Sequence, residues 1–345
     1  MTEQRAESRE QKIRAVGALR DGIARVNRAP VIIACVFLVT LLSALPFSMM
    51  MRDELQTHLG SSLVAEQVAQ GANAQWWSEF TEQAGTLGRT FRPGIIGFAA
   101  VLDNLSAFAD GEAPPSPLVW LGAAYLLLWL FLAGGVLDRY ARARRTRSYE
   151  FFMACGVYFL RFLRLAPFMA FAYYMLFAVV HPLLLEQLFA GLTRDLSSER
   201  AAFFVRLALY AIFGTLLVLV SVVFDYAKVR AVVEDRRSMI GAIVAGARFA
   251  RRHAAAVATL YLLTACLFVA LLLVYAIAAP GAGSTGAGVW FGIAISQLYL
   301  LGRLWIRLVF LASETALFQG CLAHAGYIAS APVARPEPPS VENAL

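Results

Sequence analysis

Residues 202–238, AFFVRLALYAIFGTLLVLVSVVFDYAKVRAVVEDRRS, decide the fold. The first part is apolar apart from Arg206, and charge then begins abruptly at Asp225. A helix needs roughly 20 mostly apolar residues to cross a hydrocarbon core, and residues 202–224 meet that length. They lack the strict alternation of a barrel strand, so a helix is expected. Arg206, near one end of the run, is placed to snorkel.

Five more stretches repeat this composition, at 31–50, 117–137, 166–185, 254–278 and 289–312. The whole chain agrees, being 59% hydrophobic and only 15% charged over 345 residues, whereas soluble domains carry about a quarter charged residues. The expected fold class is all-α integral membrane: six transmembrane helices with amphipathic interfacial helices and a candidate internal repeat.

Charge gives the orientation. Residues 1–30, 138–165 and 225–253 each hold seven Lys/Arg. The intervening segments differ: 52–116 has only Arg52, Arg89 and Arg92 against eight acids, 191–201 has Arg194 and Arg200, and 279–288 has no charge. Cations retained on the cytoplasmic side set topology, so six spans with both termini cytoplasmic are expected, in a bacterial inner membrane. The net charge of +7 is thereby explained without nucleic acid, because the cations flank apolar spans instead of forming one basic face. The first span is read as a retained signal-anchor, since some 30 polar residues precede it.

Three regions lie outside the spans. Within 1–30, Ile13, Val16, Leu19, Ile23 and Val26 recur at helical spacing with Lys and Arg opposite, which predicts an amphipathic helix on the anionic inner leaflet. Residues 51–116 read as two or three amphipathic extracytoplasmic helices, with Trp76, Trp77 and Phe80 as interfacial anchors. Gly94–Ala109 is too short to cross and reads as an interfacial or re-entrant helix. This segment is either a cap on the bundle or a lid. Residues 330–345, with Pro332, Pro336, Pro338 and Pro339, read as a disordered tail. The membrane domain proper is 31–329.

The repeat is carried by Arg147-Ser148, Gly156, Phe159 and Arg161, which return as Arg237-Ser238, Gly246, Phe249 and Arg251. The unit would be a span, a basic cytoplasmic helix N-capped by serine, and a span. Arg161, Arg164, Arg248, Arg251 and Arg252 would then stand where the chain returns to the membrane, as candidate lipid-headgroup contacts.

Catalytic signatures are sparse. There is no HExxH, GxSxG or P-loop. Asp225–Arg230 is similar to the acidic motif of lipid-headgroup phosphotransferases but lacks the further paired aspartates that hold two metals. Cys35, Cys155, Cys266 and Cys321 have no CxxC spacing, and His58, His181, His253 and His324 lie on different segments. No cofactor or metal is implied. His181 and Glu186 near Pro182, expected to kink or end its helix, are a minor proton-relay candidate.

Charges inside spans carry more weight, because a charged side chain at mid-bilayer costs about 2.5–3.5 kcal/mol or more. Arg303, Arg307 and Glu314 fall at i, i+4 and i+11, on one helical stripe. If the last span begins at Gly288, Arg303 lies about 22 Å along it and about 8 Å from the cytoplasmic boundary. Two readings stand: snorkelling arginines, or a buried ion pair with Asp225. The mixed-sign run Lys228–Arg237 is either a set of intrahelical ion pairs, a lock against the other cytoplasmic helix, or a docking surface.

Residues 225–253, DYAKVRAVVEDRRSMIGAIVAGARFARRH, and the opening LRDGIARVNRAPVIIA resemble poorly characterised bacterial multi-pass families such as the membrane domain attached to glycerophosphoryl diester phosphodiesterases. The resemblance implies a six-helix all-α membrane fold. The phosphodiesterase catalytic domain has no counterpart, so its activity is not implied.

The functional expectation is a non-enzymatic scaffold or accessory subunit contacting anionic lipids and, through its cytoplasmic connectors, a protein partner. The alternative is a small transporter for an anionic or lipid-like substrate. A mid-membrane cavity lined by Arg303 and Arg307 separates the two: its presence favours transport, and a closed Leu/Phe-packed bundle favours the scaffold.

Overall fold

The computed structural model describes residues 2–60, 64–70, 73–91, 98–112, 115–142, 147–279 and 286–323. The expected disordered tail lies outside them. Helix α1 (Thr2–Asn27) leads into α2 (Pro30–Leu59), where Pro30 takes the first helical turn, a position that needs no N–H bond. Two short helices follow, α3 (Val64–Gln70) and α4 (Ala74–Gln83), and then α5 (Phe98–Ala109). Helix α6 (Ser116–Arg142) is succeeded by α7 (Ser148–Met175), which runs on through π-type turns into α8 (Phe189–Thr193). The chain ends in α9 (Glu199–Val233), α10 (Met239–Arg252), α11 (Ala254–Ala278) and α12 (Ala287–Ala323). Among the described residues there is no strand, and six helical segments are long and apolar enough to cross a membrane.

Helix α12 is the axis, touching α1, α2, α6, α9 and α11. Its contacts gather at the end of the molecule that carries the cationic segments, called here the basic end. There Leu308, Val309, Ala312, Ser313, Glu314 and Thr315 are fully buried. Helix α1 lies against this stretch through its buried face, Ala15, Ala18, Gly22 and Val26. A Cβ on Gly22 would fall 2.0 Å from the Ser313 hydroxyl and 2.8 Å from its backbone N. The expected apolar stripe faces this seam in part: Val26 is buried and Leu19 and Ile23 pack against the core, but Val16 is exposed and the closest contacts are made by Ala15, Ala18 and Gly22. The small residues let the two backbones approach closely at Gly22.

Polar groups tie the same end together. Arg25 donates to the Tyr140 carbonyl and to Gln319 Oε1, both at 2.8 Å, and Gln319 Nε2 donates to the Ala141 carbonyl at 2.7 Å. The last carbonyls of α6, which have no partner within their own helix, are thus satisfied by α1 and α12. Trp305 Nε1 donates to Asn27 Oδ1 at 3.0 Å.

At the opposite end α5 meets the other helices through a few side chains. His181 Nε2 is 2.9 Å from the Ala109 carbonyl, its ring sits against Phe213 and Gly111, and Tyr210 bonds Asp110. His181 therefore anchors α5, and Glu186 is exposed, so the two form no relay. Pro182 does not end its helix: π-type turns on either side absorb the missing donor. The anchoring role expected for Trp76 and Phe80 is also corrected. Both are buried with Ala84 in a small core of their own, against Leu55, Leu59 and Phe91. Trp76 stacks on Phe80 at 5.2 Å.

The repeat is unequal in structure. Ser238 caps α10, accepting from Gly241 N at 3.3 Å, whereas Ser148 is the first residue of α7 and caps nothing. Helices α7 and α8 form one unbroken span candidate, Ser148–Thr193, while α10 stops at His253 before α11 begins. Burial beside Arg14 and Arg252 holds the His253 imidazole below the usual histidine range.

Candidate anion groove and buried carboxylate cluster

The two arginines of the α12 stripe face a cavity. It measures about 390 Å³ and is lined by Thr40, Ser43 and Ala44 of α2, by Leu118, Leu121, Gly122 and Tyr125 of α6, and by Leu300, Arg303, Leu304 and Arg307 of α12. Its depth follows from helix geometry. Helix α2 starts at the basic end and α6 finishes there. Thr40 lies about 15 Å along α2 and Tyr125 about 14 Å along α6. Coming from opposite ends, the two meet near the middle of a core about 30 Å thick. The Thr40 and Tyr125 hydroxyls are 3.5 Å apart.

Arg307 is half-buried, with its guanidinium 3.6 Å over the Trp129 ring and within hydrogen-bonding reach of the Tyr125 hydroxyl. Stacking of this kind suits the weakly hydrated, planar guanidinium. Arg303 is exposed one turn away. Among the described residues neither arginine has a carboxylate partner. The expected Asp225–Arg303 pair does not form. Asp225 is taken by Lys228, three residues on along the same helix, at 2.5 Å.

Glu314 completes a second cluster, between α9, α11 and α12. The Tyr261 hydroxyl lies 3.0 Å from Asp225 Oδ2 and 3.1 Å from Glu314 Oε1. Glu314 is fully buried, and its Oε2 has no partner. Sequence reasoning placed Arg303, Arg307 and Glu314 on one stripe, yet they serve two sites. It missed Tyr125, Trp129 and Tyr261, because an aromatic residue inside an apolar span carries no local mark of what its hydroxyl or ring will meet.

The lipid-facing arginines also divide. Arg161 is withdrawn from that role: it pairs with Asp235 at 2.6 Å and lies over the Tyr158 ring. Asp235 has φ of 50°, a left-handed conformation that Asp tolerates better than most residues, and the ion pair holds it there. Glu234 accepts from both Arg230 and Arg236. The VVED element is thus a lock between the end of α9 and α7. Arg164, Arg248, Arg251 and Arg252 remain exposed.

No family model matches the chain, and neither a curated protein nor a solved structure matches it. The class rests on the fold itself: an all-α multi-pass membrane protein, with six helices of spanning length and composition. Groups of three or more metal-ligating side chains are absent among the described residues.

Proposed function

We propose that this protein is a non-enzymatic carrier of the inner membrane that takes an anionic amphiphile into the groove between α2, α6 and α12. One observation carries the reading: two arginines without acidic partners line a cavity that reaches mid-span and whose other walls are mainly apolar. A cation in that position is costly unless something neutralises it. A phosphate or carboxylate headgroup supplies the opposite charge, and Arg offers it two parallel donors. Thr40, Ser43 and Tyr125 add hydroxyls, and the leucine walls suit an alkyl chain. Exposed apolar side chains beside the groove, such as Leu41, Leu42 and Leu126, leave it open to lipid, so the ligand enters sideways from the bilayer. The cationic segments face the cytoplasm, where Arg164, Arg248, Arg251 and Arg252 meet anionic headgroups. The resemblance of residues 225–253 to a phosphodiesterase-attached membrane domain is compatible with a membrane unit that has no catalytic part.

The test is native mass spectrometry of the detergent-purified chain with phosphatidic acid, phosphatidylglycerol and phosphatidylcholine. The anionic lipids should bind at least about tenfold more tightly, roughly 1.4 kcal/mol, and R303Q/R307Q should abolish that preference. Equal binding of all three lipids would sink the proposal. The scaffold reading is favoured by a different feature, the firm docking of α1 on α12. It would be supported if binding proved unselective while a protein partner co-purified with the chain and was lost on deleting residues 1–28.

A further inference from the structure

Glu314, Tyr261 and Asp225 are not used by the groove. We propose that they form a proton-binding site inside the membrane domain, with Glu314 as a neutral carboxylic acid in the resting protein. The inference stands independently of the groove's ligand.

The argument is a hydrogen count. Tyr261 has one hydroxyl proton and two carboxylate oxygens in reach, at 3.0 and 3.1 Å. It donates to one of them, and the other contact is then oxygen against oxygen unless that carboxyl brings its own proton. Asp225 already has a cation, with Lys228 at 2.5 Å. Glu314 has none, is fully buried, and leaves Oε2 without a partner. An ionised carboxylate there would hold its charge with no donor on one oxygen, whereas a neutral acid leaves only a carbonyl-type oxygen unpaired. The consistent assignment has Glu314 Oε1–H donating to Tyr261 Oη, Tyr261 O–H donating to Asp225 Oδ2, and the Lys228 ammonium donating to Asp225 Oδ1.

The neighbouring charges agree. Helix α9 contributes Asp225, Lys228 and the buried Tyr226, and α11 contributes Tyr261. On α12, Arg307 stacks on Trp129 and also acts electrostatically on Asp225 and Lys228, and Cys321 is met by Arg14 of α1. Arg25 of α1 is held by Asp21, Gln319 and the Tyr140 carbonyl, and Asp138 of α6 is paired with Arg142. With Glu314 neutral, Asp225 and Lys228 cancel. An ionised Glu314 would set a second negative carboxylate beside Asp225, and among the described residues no cation bonds it. A bound metal ion is the weaker occupant, because the Lys228 ammonium already stands at Asp225.

The chain of bonds also gives the proton a way out. As the Glu314 O–H breaks, Tyr261 accepts that proton and passes its own to Asp225, whose side chain is 16% exposed. The net charge is unchanged, one O–H breaks on Glu314 and one forms on Asp225. Tyr261 serves as the relay between a sealed acid and a less sealed one.

The test is infrared spectroscopy of the full chain in lipid at neutral pH. The wild type should show the carbonyl band of a protonated carboxylic acid, downshifted in deuterium oxide. E314Q should lose it. A wild type without the band overturns the proposal, as does a band that survives in E314Q. Should E314Q fail to fold, Y261F provides the second arm: the band should persist but move, because the acid loses its acceptor, and an unmoved band overturns the proposal.

Discussion

The two halves of the bundle are built differently. On α12, Leu308, Val309 and Ala312 are fully buried, whereas Trp290 near its other end is 74% exposed. The same gradient runs along α6, from exposed Trp120 to buried Val136 and Leu137, and along α9, from Phe203 to Val229 and Ala231. At the basic end, glycine and alanine let helices touch, and polar side chains close the helix ends. Farther along, large apolar side chains point outward, and a gap between α2, α6 and α12 remains. The contrast separates a tightly packed half from a looser one: the first fixes the arrangement of the helices, and the second leaves a groove beside Arg303 and Arg307. Helix α12 is continuous between them.

The largest expected effect tests the rigid half at its tightest contact. Gly22→Leu places atoms where Ser313 stands, and should cost about 3 kcal/mol, the upper range for overpacking. A thermal melt of the detergent-solubilised protein measures it, and an unchanged midpoint would mean that α1 is not docked on α12. Gly246→Ala ranks second. Its Cβ would approach the Val223 carbonyl to 2.9 Å and Ala227 N to 3.0 Å, so a loss of about 2 kcal/mol is expected from α9 and α10 being forced apart. Asp235→Asn removes the charge of the Arg161 pair and keeps a side chain that tolerates the left-handed backbone at this position. Because the Asp235 side chain is 70% exposed, the loss should stay below about 1 kcal/mol and shrink in high salt. Gly122→Ala marks the other half. Nothing lies within 4 Å of the added methyl, so stability should change by less than about 0.5 kcal/mol, while anionic-lipid binding in the mass-spectrometric titration should weaken. If Gly122→Ala destabilised the protein as much as Gly246→Ala, the distinction between the halves would fail.

Much of the fold was legible because bilayer thickness imposes it. Any run of some 20 apolar residues has few alternatives to a spanning helix, and all six spans expected from the sequence correspond to such helices. The boundaries were less legible. Residues 148–165 were expected as a connector and instead begin the long α7, since Arg161 and Arg164 look alike in sequence although one is paired and the other exposed. Helix α1 misled in a related way. Its apolar residues suggest a lipid-facing stripe, but Val26, Ile23 and Leu19 turn toward α12 together with Ala15, Ala18 and Gly22, whose small size allows the close approach.

The sequence by itself determined that the chain is helical, crosses the membrane six times, and carries Arg303, Arg307 and Glu314 on one stripe, because those properties follow from hydropathy and from 3.6 residues per turn. Only the tertiary structure decided that Asp225 belongs to Lys228, that Tyr261 links it to Glu314, and that the arginines look into an open groove. Those outcomes depend on which faces of α2, α6, α9, α11 and α12 meet. Pairing across helices is set by small-residue contacts and single hydroxyl groups, far apart in the chain, and no local pattern records them.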